Sequence, residues 1–304
     1  MTPQDFIAAE AEKLRSGRHR QKGEPPPEPV ENTEGEDDRP TITIGPDEHR
    51  VNAEAVGALA TEPDLYQRGG VLVRLMEQEK EAEHDDDVRR PAGAPVVREL
   101  PKPLLRERLT RCARWQTENH DRQGNLIVRE AHPPGWSVDA IFTRSFWPGV
   151  RSLTAVVTCP VLLPNGEILS RNGYDPRSGI LASLPPGLAV DVPDHPTAEQ
   201  VAEAVASLDD IVQDFPFERP EHRAAWFAAL LTPLACFAYS GPAPMFLIDK
   251  NVRGAGAGLL ADCVALTLTG RRFPVMSYTK DKEELRKKIT ALAVEGERLI
   301  LLDN

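Results

Sequence analysis

The chain has 304 residues, a formal net charge of −11, 40% hydrophobic residues, 28 prolines and 4 cysteines. That length and apolar content suffice for more than one packed core, and the acidic balance argues against a protein that coats nucleic acid or anionic lipid through bulk charge. Cys112, Cys159, Cys236 and Cys263 stand far apart with no zinc-type spacing, so they read as reduced thiols of a cytoplasmic protein.

Residues 1–20 lack the apolar run of a signal peptide, although Phe6, Ile7, Ala9 and Leu14 fit a short amphipathic helix. Beyond them, 21–40 offers only Val30 for burial, so 1–40 is expected to be a disordered, acidic and proline-rich tail. The most apolar stretch, 224–239, is too short for a membrane span and contains Pro233, which predicts a buried helix and no membrane partner.

Residues 41–134 read as a small α+β domain. Thr41 to Ile44 alternates like a strand, Asn52 is placed to cap a helix over 53–61, and 65–75 reads as a hairpin turning at Gly69-Gly70. The charged run 77–90 predicts an exposed insertion. His84 with Asp85, Asp86 and Asp87 has metal-binding residue types, but consecutive acids point in different directions and a solvated loop is the expectation. A strand over 96–100 leads to a helix over 103–115. Leu104, Leu105, Leu109 and Cys112 share one side of it, and Arg106, Arg108, Arg111 and Arg114 form either a nucleic-acid face or a solvated one.

Over 135–193, prolines and glycines interrupt short apolar runs, which predicts β-hairpins and no helices. The clearest runs from Val156 to Leu163, turns at Pro164-Asn165-Gly166 and returns over 167–169; a second turn falls at 172–176. Trp136, Phe142, Phe146, Trp147 and Tyr174 suit either base stacking or core packing. A helical linker region, 194–240, opens with the capping box Thr197 to Gln200 and continues with Val201, Val205, Leu208 and Val212 on one stripe. Pro220 starts a second helix carrying Trp226, Phe227, Leu230 and Leu231, bent or ended near Pro233.

The stretch 245–270 reads as strand, glycine turn and helix. Met245 to Ile248 suits a buried parallel strand, and Gly254, Gly256 and Gly258 form the turn. A helix beginning just after such a turn directs free amides and a positive dipole end toward an anion. Further on, 273–278 reads as a strand, 281–293 as a helix, and 298–303 as a buried strand ending in Asp303.

Tyr66-Gln67-Arg68-Gly69-Gly70, the segment from Cys159-Pro160-Val161-Leu162 to Gly173-Tyr174-Asp175-Pro176, Phe215-Pro216-Phe217, His222-Arg223-Ala224-Ala225-Trp226, the glycine turn and Leu301-Leu302-Asp303-Asn304 together resemble the primase-helicase-like P-loop ATPases of phages, plasmids and integrated elements. The resemblance covers residues 51–304 and implies an α/β fold in which 241–304 is a partial P-loop domain with a doubly wound parallel sheet. It implies nucleotide binding by Arg253, Gly254, Ala255, Gly256, Ala257, Gly258 and Leu259, with Lys250 nearby, and Mg²⁺ facing Asp303. ATP, Mg²⁺, single-stranded DNA and further copies of the chain are the implied ligands and partners.

Two departures qualify it. Against G-x-x-x-x-G-K-[ST], Asn251 stands at the first glycine, Ala257 at the phosphate-binding lysine and Gly258 at the Mg²⁺-binding hydroxyl, while Asn304 stands where a second acid is usual. ATP hydrolysis by this chain alone is therefore not expected. A sensor strand and an arginine finger would follow Asp303 in such ATPases, so the sequence reads as the truncated front portion of a mobile-element helicase; the alternative is a non-hydrolysing replication accessory using the fold as a scaffold.

Overall fold

A computed structural model describes residues 37–78, 88–188, 192–193, 195–252 and 254–303. Most of the expected tail, the His84 to Asp87 cluster, Arg253 and Asn304 lie outside the described residues. Residues 39–304 form one compact unit, and that unit is described below.

Its first half packs three helices beside two small sheets. Strand β1 (Thr41–Ile44) leads into α1 (Glu48–Leu59), whose N-terminus is capped by Asp47 accepting from the Arg50 amide at 3.2 Å. The helix thus begins upstream of the predicted Asn52 cap. Asn52 instead lies within it and accepts from the Ser137 hydroxyl at 2.6 Å. Val51, Ala55, Val56, Ala58 and Leu59 make the buried stripe. They meet Leu105 and Leu109 of α2 (Lys102–Cys112), Val138 and Ile141 of α3 (Gly135–Phe142), and fully buried Trp147.

Strands β2 (Leu65–Arg68) and β3 (Val71–Glu77) form the expected hairpin, with Gly69 and Gly70 at φ 59° and 83°. Two successive positive φ values are what a tight two-residue turn between right-twisted strands requires. After β4 (Val88–Arg89), β5 (Pro95–Glu99) pairs antiparallel with β3, and β8 (Arg151–Ser152) pairs parallel with β2, giving the order β5-β3-β2-β8. A second sheet joins β1 to β6 (Arg114–His120) in parallel and β6 to β7 (Leu126–Glu130) in antiparallel register.

The region expected to hold only hairpins contains α3, because 135–142 carries apolar residues at helical spacing directly after Pro133-Pro134. The predicted hairpin is shorter than expected: β10 (Val161–Leu162) pairs with β11 (Ile168–Leu169) around Gly166 at φ 86°. Val156 belongs to β9 (Ala155–Val157), which runs parallel to β13 (Ile180–Ala182), itself antiparallel to β12 (Gly173–Asp175).

The capping box forms as read, opening α4 (Ala198–Asp210), and Pro220 opens α5 (Pro220–Ala235). Val201 and Val205 remain exposed, so the predicted stripe on α4 reaches the core only at its C-terminal end, through Leu208 and the following Val212. Trp226 and Leu230 of α5 pack against Leu260, Val264 and Leu268 of α6 (Ala257–Thr269) and against β10.

The last elements are β14 (Val275–Ser277), α7 (Lys282–Val294) and β15 (Leu301–Asp303). Strands β14 and β15 are parallel, as a βαβ unit requires. The neighbour of β14 on its other side is β4, which runs antiparallel, giving the order β15-β14-β4. The architecture is therefore mixed α/β with several small mixed sheets, and the described residues alone do not make up a doubly wound parallel sheet. Among the described residues, 245–248 pair with no strand. The β2–β8 and β4–β14 pairings also join segments that composition had set apart at 134, 193 and 240.

Candidate functional site

Helix α6 begins at a turn built from glycines that need left-handed backbone. Gly254 has φ 82°, and Gly256, the residue just before the helix, has φ 84° and ψ 15°. The first helical bond is donated by the Leu260 amide to the Gly256 carbonyl at 2.9 Å. The amides of Ala257, Gly258 and Leu259 therefore precede the intrahelical ladder and carry the positive end of a 13-residue helix. Gly254, Gly258 and Leu259 are exposed, and Ala255, Gly256 and Ala257 are half-buried. A side chain on Gly254 or Gly258 would meet nothing within 4 Å, so the turn is open on that side.

At Gly256 the situation differs. A Cβ there would lie 3.3 Å from the Phe215 ring, which floors the turn. The sequence did not point to this contact directly, and its only trace was the Phe-Pro-Phe tripeptide.

The rest of the expected site is assembled only in part. Residues 245–248 alternate in exposure, with Met245 and Leu247 at 82% and 87% and Phe246 and Ile248 at 36% and 38%. That period of two is strand-like, yet among the described residues the segment has no ladder partner. Met245, Phe246 and Ile248 instead line a cavity of about 480 Å³, together with Cys159, Cys236, Arg298 and Leu301. Neither this cavity nor the cleft beside Phe215 is lined by residues 254–259 or by Asp303. Asp303 ends β15, where its carbonyl accepts from the Tyr278 amide at 3.0 Å.

The turn offers backbone amides of the kind that bind phosphate, but the side chains that would hold Mg²⁺ beside it do not fit that ion. Ala257 supplies no amine, Gly258 no hydroxyl, and among the described residues no group of three or more His, Cys, Asp or Glu is placed to hold a metal ion. Among the described residues, no helix is long and apolar enough to cross a membrane.

The arginines read as one helical face are dispersed: Arg114 lies in β6, and Arg106 is exposed on α2. Arg108 is buried, donating to Glu62 at 3.0 Å and to both Asp64 oxygens at 2.7 and 2.5 Å, while Arg111 also holds Glu62. Arg114 lies 3.7 Å from Glu130. Glu62 and Asp64 fall in the αβ connection after α1, and nothing local in the sequence pairs them with α2. The aromatic residues of 135–193 are mostly packed. Trp147 is in the core, Trp136 and Phe142 rest against it, and Tyr174 meets Tyr66 at 5.7 Å between ring centroids; Phe146 is exposed.

Burial is the first cause of the shift at five described groups, raising Tyr66 and lowering Arg68 among them. The Cys112 and Cys159 thiols are pushed up to about 12 by desolvation, and burial raises Glu297 above the usual carboxylate range despite Arg90 at 2.7 Å. No family model, curated protein or solved structure matches the chain.

Proposed function

We propose that the chain is a helicase-derived, nucleotide-binding domain of a mobile-element DNA-replication ATPase, and that it receives phosphates without hydrolysing ATP. The observation that carries this reading is the turn itself. Two left-handed glycines, 254 and 256, open a 13-residue helix whose first amides precede its ladder, and a side chain added at Gly254 or Gly258 would meet open space. Oriented backbone donors of that kind attract phosphate oxygens without any side chain.

Hydrolysis asks for more. The lysine that follows the transferred phosphoryl group and the hydroxyl that holds Mg²⁺ are replaced by Ala257 and Gly258, so the chain keeps the cradle and lacks the electrostatic stabilisation of the transition state. The absence of a ladder partner at 245–248 favours a second reading, in which the domain is a scaffold within a replication assembly and binds no nucleotide.

Titration with a fluorescent ATP analogue, together with an ADP-release assay, separates the two. The proposal expects weak binding by the natural chain, no ADP release above the blank, and binding about tenfold tighter or better in the Ala257→Lys/Gly258→Ser double variant. No binding by either protein, with both folded by circular dichroism, overturns it in favour of the scaffold.

A further inference from the structure

An open cleft of about 550 Å³ lies between the end of α4 and the start of α5, a size within the range of small-molecule sites. Its apolar wall includes Phe215, Phe217 and Phe227, and Phe215 is also the ring that floors the glycine turn at Gly256. Phe215 and Phe217 stand 5.5 Å apart, tilted by 43° and not stacked on each other. The charged groups along the cleft are Asp209, Glu218, Arg219 and Arg223, two of each sign, so it has no net charge to select an ion.

Arg223 adds a specific polar requirement. Its terminal nitrogen pairs with Asp209, but its Nε is buried and has no hydrogen-bond acceptor. Buried donors are rarely left so, because the lost hydration is not replaced. That Nε has no open surface from which a ligand could reach it, but the Arg223 side chain as a whole is 40% exposed, so a flat heteroaromatic ring can meet the guanidinium with in-plane nitrogen acceptors and offer its faces to the phenylalanines at the same time.

Resting on the reading of the turn as a phosphate site, we propose that this cleft is the base subsite of the same nucleotide. It takes a purine, stacked against the Phe215 and Phe217 pair with the exposed part of the Arg223 guanidinium donating to a ring nitrogen. The shared Phe215 makes base and phosphates neighbours in one site. Aromatic stacking of a single base contributes enough to be read as a difference in affinity between a nucleotide and bare polyphosphate.

The test compares ATP, inorganic tripolyphosphate and adenosine by calorimetry on the full chain and on the Phe217→Leu and Arg223→Lys variants. Leucine keeps apolar volume and lysine keeps the charge near Asp209, and thermal unfolding verifies that each variant is folded. The proposal expects ATP to bind at least about fivefold tighter than tripolyphosphate, the low end for stacking one base. Both variants lose most of that advantage while tripolyphosphate binding stays unchanged. Equal affinity for ATP and tripolyphosphate, indifferent to both variants, overturns the base subsite and leaves the phosphate turn standing. If tripolyphosphate fails to bind, the turn is not a phosphate site. Adenosine binding that Phe217→Leu abolishes then still supports the cleft, and no binding of any probe overturns both. A single-stranded oligodeoxynucleotide that displaces ATP and loses affinity in both variants overturns the mononucleotide assignment in favour of a nucleic-acid base.

Discussion

Arg68, at the end of β2, donates to the carbonyls of Val294 and Ala293, each at 3.0 Å, and so closes the C-terminal turn of a helix that lies 226 residues away in the chain. A guanidinium at that end of α7 answers the carbonyls of the last turn, of which that of Ala293 also accepts from the Gly296 amide at 3.3 Å, and the negative end of the helix dipole. Beside it, Gly296 has φ 86°, and a side chain there would come within 2.9 Å of Val97. We expect Arg68→Ala to lower stability by about 2 kcal/mol through loss of charge-assisted bonds. Urea unfolding should show the midpoint falling, and an unchanged midpoint would mean the contact contributes nothing in solution.

The Arg108 cluster gives an acid-sensitive contribution. The hydrogen bond from Arg108 holds the Asp64 carboxyl below the usual range, so its folded pKa is below the unfolded one. The stabilisation is complete above the unfolded carboxylate value, near pH 4, and is lost as pH falls through the folded value. Asp64→Asn should flatten that part of the stability-against-pH curve. Arg108→Met, which leaves buried Glu62 with Arg111 alone, should cost about 3 kcal/mol in chemical denaturation.

Glu297 has the opposite sign. Burial raises its folded pKa, so the native state keeps the proton longer than the unfolded chain does. Its contribution to stability therefore declines as pH rises from the ordinary glutamate value through the folded one, then levels off. The stability of the natural chain minus that of Glu297→Gln should fall across this window; a difference that rises with pH would contradict the assignment.

Two glycines of the turn should respond differently to alanine. Gly256→Ala meets both a left-handed backbone and the Phe215 ring, and should destabilise by about 1–2 kcal/mol. Gly258 lies inside α6 without a positive φ and faces open space, so Gly258→Ala should be neutral or stabilise by up to about 1 kcal/mol through helix propensity. Thermal unfolding of the two variants measures the contrast.

The cysteines should divide by burial. Cys112 and Cys159 are buried and held protonated by desolvation, so at pH 8 they should resist alkylation in the native state. Cys236 and Cys263 are partly exposed and should be labelled first by iodoacetamide, as peptide mass spectrometry would show.

What the sequence determined by itself is local. Thr197 with Gln200 starts α4, Asp281 caps α7 through the Glu283 amide at 2.9 Å, and Gly69-Gly70 turns the β2–β3 hairpin, because each of these closes its own hydrogen bonds within a few residues. The glycine turn was legible for the same reason. Only the tertiary structure decided that β14 takes β4 as an antiparallel neighbour, that Arg108 is buried against Glu62 and Asp64, and that Phe215 lies under Gly256. A strand needs a partner supplied from elsewhere in the chain, and its apolar pattern does not name that partner. Residues 245–248 show the limit: they keep the alternating exposure of a strand and, among the described residues, lack the neighbour that would make them one.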